Sequence, residues 1–199
     1  NGALLICDEV YTGLGRTGRW FASEHFGVMP DILCLGKALT GGFPLSACVG
    51  RADVMDRAWP KSTGEAIHTS TFLGHPVGCA MALASLRELA SRDLPTRSAE
   101  IGELFLDELQ HLAKRIGQSR CQPRGLGLML ALELFHDDGS PATNIAASVI
   151  KRLLHDGFIL LPEGDPQNIV AFTPPLTVGK SHIKKLIRAL EEALEEAFA

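Results

Sequence analysis

Leu4-Leu5-Ile6-Cys7-Asp8 opens the chain as a continuous apolar run closed by an acid, and Asp31-Ile32-Leu33-Cys34-Leu35 repeats the pattern before Gly36-Lys37. Runs this short, apolar on successive residues and ended by charge or glycine, suit strands buried on both faces of an α/β sheet rather than strands with one wet face. A third run at 44–49 completes the set. Only Asn1-Gly2-Ala3 stands before the first run, so its sheet neighbours have to come from elsewhere. The sequence therefore reads as a fragment that lacks an N-terminal part.

Working outward, 8–31 is rich in glycine (Gly13, Gly15, Gly18) and too long for a plain connection, which favours a functional loop. Residues 77–89 are apolar on nearly every side and predict a deeply buried helix. Asp93-Leu94-Pro95-Thr96 interrupts that pattern and places a domain boundary near Asp93, giving 1–93 and 94–199. Beyond it, Ile101, Leu104, Phe105, Leu109, Leu112 and Ile116 form one helical face. Strands are expected at 126–135, 158–161 and 169–172, and helices at 144–155, stopped by Gly157, and over the last twenty residues, where Glu191, Glu192, Glu195 and Glu196 face water.

Composition narrows the class. In 199 residues, 46% are hydrophobic and 21% charged, as in ordinary globular enzymes, and a formal charge of -4 offers no basic field for nucleic acid or anionic lipid. No apolar run reaches the ~20 residues of a membrane span and no signal-like segment is present, so a cytoplasmic protein is expected. The five cysteines are scattered without C-x-x-C spacing and read as buried structural thiols, and the seven histidines show no ligand pattern. No metal is implied.

Four places carry candidate chemistry. Asp8 ends a strand at the sheet edge where α/β proteins bind ligands, although a loop-capping role would use the same residue. Lys37 lies among apolar residues; burial would favour its neutral amine and hence Schiff-base formation, whereas a snorkelling surface lysine is the plain alternative. Gly13-Leu14-Gly15-Arg16-Thr17-Gly18 matches G-x-G-x-x-G, but five residues separate it from the strand and no glycine-packed helix follows, which argues against a dinucleotide site. His68-Thr69-Ser70-Thr71-Phe72-Leu73-Gly74-His75-Pro76 offers hydroxyls before a helix, for an anion or for simple capping.

Taken together, Leu5-Ile6-Cys7-Asp8-Glu9-Val10-Tyr11-Thr12-Gly13-Leu14-Gly15-Arg16-Thr17-Gly18 and Pro30-Asp31-Ile32-Leu33-Cys34-Leu35-Gly36-Lys37-Ala38-Leu39-Thr40-Gly41-Gly42 resemble the signature of class III aminotransferases, with similarity continuing through Ser70-Thr71-Phe72 to Phe172-Thr173-Pro174-Pro175-Leu176. The resemblance implies the fold type I architecture of pyridoxal-phosphate-dependent transferases: part of a large α/β domain with a mainly parallel sheet, then a small α+β C-terminal domain, with the first half of the enzyme missing. It implies pyridoxal 5'-phosphate as cofactor, Asp8 on the pyridinium nitrogen, Val10 against the ring, and Tyr11 where many members carry a glutamine bonded to the ring oxygen. Lys37 would hold the aldehyde as an internal aldimine and later move the substrate proton. Ser70 and Thr71 match positions that reach the phosphate of a neighbouring subunit, Thr71 above all, which implies a homodimer; Arg16 receives no catalytic role.

Ala171 stands where members that clamp a carboxylate carry arginine, a bidentate contact that alanine cannot supply. Transamination between a primary amine or ω-amino acid and a 2-oxo acid or aldehyde is the expected reaction. An aminomutase-type reaction on the same cofactor, or a non-catalytic fragment that needs its missing half, is the alternative.

Overall fold

The structure is a computed structural model that describes residues 2–59, 61, 62, 64 and 68–199. The chain divides into two compact units, Asn1–Pro95 and Thr96–Ala199. In the first, three short strands lie side by side in the order β1 (Ile6–Asp8), β2 (Ile32–Leu35), β3 (Ala47–Gly50). β1 runs parallel to β2, with Asp8 opposite Cys34, and β3 returns antiparallel to β2. Among the described residues two α-helices join them, α1 (Ala52–Ala58), which the sequence reading missed, and α2 (Pro76–Ser91).

β1 is not buried on both faces as the apolar run predicts. As the edge of the sheet it has one neighbour, and Leu4, Leu5 and Ile6 are 48, 42 and 58% exposed. Likewise α2 forms as expected but is not deeply buried: only Gly78, Ala82 and Leu89 are covered, while Val77, Met81 and Leu83 face outward. Apolar composition reports what a face could bury, whereas burial depends on what lies against it. The expectation of five buried thiols is corrected for the same reason; Cys121 is buried, Cys7 and Cys34 are half-buried, and Cys48 and Cys79 are exposed.

The second unit is a four-stranded antiparallel sheet, order β4-β5-β7-β6, with β4 at Cys121–Leu126, β5 at Met129–Leu134, β6 at Leu161–Glu163 and β7 at Ile169–Phe172. Three helices pack with it: α3 (Leu94–Ile116), α4 (Thr143–His155) and α5 (Lys180–Phe198). Pro95 does not break α3. It sits in the first turn, where a missing N–H costs nothing. The strand expected at 126–135 forms as β5 but starts only at Met129, because Gly127 at φ +54° turns the chain there, and β4 before the turn was not expected. The strand expected at 158–161 begins only at Leu161.

Period-two alternation drives β5: Leu130, Leu132 and Leu134 point into the core and Met129, Ala131 and Glu133 away from it. Against them lie Phe105, Leu109 and Leu112 of α3, Val149 and Leu153 of α4, and Leu190 and Leu194 of α5. Phe105 and Phe172 meet edge to face at 5.3 Å. α3 approaches the β4–β5 turn on its small residues, with the Leu128 N–H donating to Ser98 Oγ at 3.1 Å and Gly102 one turn further on. β7 is held at its start by Asn168, which is 1% exposed; its Nδ2 donates to the Leu134 carbonyl and its own carbonyl accepts from the Leu134 N–H. Among the described residues no helix is long and apolar enough to cross a membrane, and no group of three or more His, Cys, Asp or Glu is gathered to hold a metal.

Candidate active site

The parallel pairing of β1 and β2 brings their carboxyl ends to one sheet edge. β1 ends at Asp8, and β2 ends at Leu35 and runs through Gly36 into Lys37. This is the edge at which open α/β sheets gather their ligands. The Glu9 N–H donates to the Cys34 carbonyl at 3.0 Å, so residues 9–11 continue alongside 35–37. A Cβ at Gly36 would lie 3.2 Å from Val10 Cγ1, which places the Val10 side chain directly against a bare backbone. The Tyr11 ring follows, with Lys37 Nζ 5.2 Å from its centroid, within range of a cation–π contact.

Lys37 begins a short 3-10 turn, Lys37–Leu39, at φ +36°, a left-handed value that non-glycine residues adopt at a cost. Strain of this kind persists where the surroundings impose it and clusters at functional sites. Ser85 of α2 donates to the Ala38 carbonyl at 3.2 Å, and the buried Thr40 hydroxyl donates to the Phe43 carbonyl at 2.6 Å. The turn is thus tied on two sides. Burial of Lys37 among apolar residues, expected from its neighbours in sequence, is not found; the side chain is exposed at the sheet edge. Adjacent apolar residues in sequence turn inward at Leu35 and Leu39 and leave the lysine outside.

Asp8 is exposed and its Oδ1 accepts the Val10 N–H at 3.1 Å, which bends the chain as the strand ends. The next carboxylate is the reverse case. Glu9 is 4% exposed and accepts from the Thr12 hydroxyl, from the Ala22 N–H at 3.0 Å and from the Ser23 N–H at 2.8 Å. Burial raises the Glu9 carboxyl, but the hydrogen bonds from Thr12, Ala22 and Ser23 outweigh it and hold the group below its ordinary value. Sequence reasoning passed over Glu9; an acid followed three residues later by a hydroxyl gave a weak signal at most. Arg16 is half-buried in the same loop, where burial lowers its guanidinium and the nearby Tyr11 opposes that shift. It remains charged all the same.

Ser70 and Thr71 are not helix caps. α2 starts after His75, with Pro76 as its first residue, and Ser70 and Thr71 occupy an exposed turn closed by the Leu73 N–H on the Ser70 carbonyl at 3.1 Å. Ring contacts hold this segment: Phe43 meets Phe72 edge to face and His75 at a tilt, and Trp59 stacks on His68. Ser70 also lines a cavity of about 850 Å³ with Leu45, Cys48, Trp59, His68 and Phe72. In the second unit, Ala171 is 9% exposed on β7, between Ala131 of β5 and Leu161 of β6.

A carboxylate, a primary amine, a valine laid on bare backbone and an aromatic ring at one strand edge suit a flat heteroaromatic cofactor that carries a basic ring nitrogen and an aldehyde. Three comparisons with known proteins bear on that fit. The family described as Aminotransferase class-III, whose enzymes depend on pyridoxal phosphate, matches residues 1–194. Among curated relatives, the chain is 38% identical to the 5-aminovalerate aminotransferase of Pseudomonas aeruginosa over 98% of its length and 45% of the relative's, and 38% identical to a leucine/methionine racemase of Thermococcus litoralis over 98% of its length and 43% of the relative's. Among solved structures, a Bacillus anthracis aminotransferase superposes with a TM-score of 0.89 at 32% identity, covering 98% of this chain and 45% of that one. The chain thus spans less than half the length of these relatives. Matched along almost all of its own length in sequence and in fold, it belongs to the class-III aminotransferase family.

Proposed function

We propose that the protein is a pyridoxal-phosphate-dependent aminotransferase that moves an amino group between a primary amine or ω-amino acid and a 2-oxo acid or aldehyde. The observation that carries this reading is that Asp8 and Lys37 follow the carboxyl ends of two paired parallel strands at one sheet edge, with the Tyr11 ring 5.2 Å from the lysine nitrogen. The bound cofactor supplies an electron sink for the carbanion formed at the substrate carbon. Lys37 would hold the cofactor's aldehyde through its amine and would serve as the acid and base that moves the substrate proton. Asp8 would pair with the ring nitrogen and keep it protonated, which is what would make the sink effective. Val10 covers one ring face and Tyr11 offers a phenol to the ring oxygen, in the place of the glutamine common among related enzymes.

Ser70 and Thr71 reach the phosphate from a neighbouring subunit, with Thr71 the main contact, so the working form is a homodimer. The exposed turn on which both hydroxyls stand supports that assignment. The large and small domains divide near Asp93, and the cytoplasm is the compartment that fits the composition.

An absorbance titration with pyridoxal phosphate, before and after borohydride reduction, tests the reading. The wild type should trap a stoichiometric adduct and Lys37→Ala should trap none; an adduct that persists in Lys37→Ala, or none in the wild type, overturns it. A second reading is isomerisation on the same site, whether an aminomutase or a racemase, and similarity to the Thermococcus litoralis racemase favours it. Asp8 and Lys37 define the cofactor rather than the outcome. Transfer of the amino group to an added oxo acid separates the two.

A further inference from the structure

We infer that Glu9 is the positioning residue of the cofactor site, its carboxylate clasping the loop 10–23 so that Asp8, Val10 and Tyr11 are held against Gly36 and Lys37. The inference rests on the cofactor reading above and assigns a role to a residue which that reading leaves unused.

Glu9 joins its strand to three other pieces of chain. Its N–H donates to the Cys34 carbonyl, three residues before Lys37, and its carbonyl accepts the Gly13 N–H at 3.0 Å. Its Oε2 accepts the Thr12 hydroxyl and the Ala22 N–H, and its Oε1 accepts the Ser23 N–H. The carboxylate therefore spans the loop, binding both its near side and the start of the 3-10 helix Ala22–Phe26. Both oxygens are occupied by these donors and the side chain is buried, so Glu9 does not serve as an acid or base toward substrate.

The geometry leaves little slack. A Cβ at Gly13 would lie 2.8 Å from the Glu9 carbonyl oxygen, so the turn closes tightly on glycine. Farther along, the Leu14 N–H donates to the Trp20 carbonyl at 2.6 Å, folding the loop back on itself. Release of the carboxylate would leave two backbone N–H groups and a hydroxyl without their acceptor, and these would turn toward water. Val10 and Tyr11 immediately follow Glu9 and Asp8 immediately precedes it, so such a shift moves the cofactor contacts first.

The experiment compares wild type, Glu9→Ala, Glu9→Gln and Thr12→Val in the full chain, with Leu89→Ala on α2 as a control for stability alone. One readout needs no cofactor: the rate of limited tryptic cleavage after Arg16 and Arg19. The other is the dissociation constant for pyridoxal phosphate from the visible absorbance of the bound form. Glu9→Ala should be cleaved about tenfold faster and bind the cofactor about tenfold more weakly, the change that one lost charged hydrogen bond brings. Glu9→Gln keeps the shape and one acceptor oxygen and should recover part of both losses. Thr12→Val removes a single donor, should shift both readouts less in the same direction, and carries the test if Glu9→Ala does not fold. Leu89→Ala should melt earlier with cofactor affinity unchanged. Wild-type cleavage in Glu9→Ala, faster cleavage with unaltered affinity, or a matching affinity loss in Leu89→Ala would each overturn the inference. A wild type that binds no cofactor would overturn the cofactor reading as well, and the cleavage rates would still report on the clasp.

Discussion

Gly102→Ala should destabilise the second unit, although helix propensity alone predicts the opposite. Gly102 is an interior residue of α3, and alanine is favoured over glycine there by about 1 kcal/mol. A Cβ at this position, however, would lie 2.1 Å from the Gly127 carbonyl oxygen, 2.3 Å from its carbonyl carbon and 2.6 Å from its Cα. All three neighbours are backbone, so no rotamer change relieves the overlap. The helix would have to lift from the β4–β5 turn, which pulls Ser98 Oγ away from the buried Leu128 N–H one helical turn earlier. Overpacking costs about 1–3 kcal/mol or more, and a strained buried hydrogen bond adds about 1 kcal/mol. Less the propensity gain, the net loss is roughly 1–3 kcal/mol, a fall in melting temperature on the order of 10 °C for a unit of this size. Urea and thermal unfolding of wild type and variant measure it. Gly50→Ala is the control, because its Cβ would meet the flexible Met55 side chain at 2.8 Å, and it should stay within about 1 kcal/mol of wild type. A Gly102→Ala protein as stable as wild type, or more stable, refutes the packing argument.

Acid should expose the Glu9 clasp. Its carboxyl is held below the ordinary value of 4.5, so the stability it contributes is fully present above that pH and fades as pH falls through the folded-state value. The melting difference between wild type and Glu9→Gln should therefore narrow below about pH 4.5; a gap that widens there contradicts the assignment. Burial pushes the Cys121 thiol up to about 12, with nearby Arg120 opposing only weakly, whereas Cys48 and Cys79 are exposed. Iodoacetamide at pH 8 should label the latter two and spare Cys121, as read by peptide mass spectrometry. On the aminotransferase reading proposed above, Ala171→Arg should lower the KM for a dicarboxylic 2-oxo acid about tenfold with little change in kcat, and an unchanged KM refutes a clamp at that position. Because Ala171 is buried, the variant should also melt earlier.

The second unit was the more legible in sequence. The stripes Ile101 to Ile116 and Ile183 to Phe198 repeat at helical spacing, and their partners lie within the same 104 residues, so pattern and burial agree. Its errors were local. A glycine at positive φ delayed the strand expected from residue 126 until Met129, and β4 on the other side of that turn, short of apolar alternation, went unannounced. In the first unit the pattern at Leu4 to Cys7 and along α2 announced surfaces that would be covered, and the chain itself does not cover them. Asp8 and Lys37 could be proposed from sequence because each follows an apolar run, and strand ends are where α/β sheets place chemistry. Glu9 was not, since its importance arises from Ala22 and Ser23, residues whose return to the strand no spacing rule announces.

Asn168 gives β7 a reading frame. Side chains on a strand alternate with a period of two, so a slip of one residue would put Val170 or Phe172 where Ala171 now stands and reverse every face of the strand. The paired bonds between Asn168 and Leu134 count the strand from a fixed origin. Position 171 is consequently an address as well as a residue: whatever side chain stands there, the strand keeps its register as long as the punctuation at 168 is left in place.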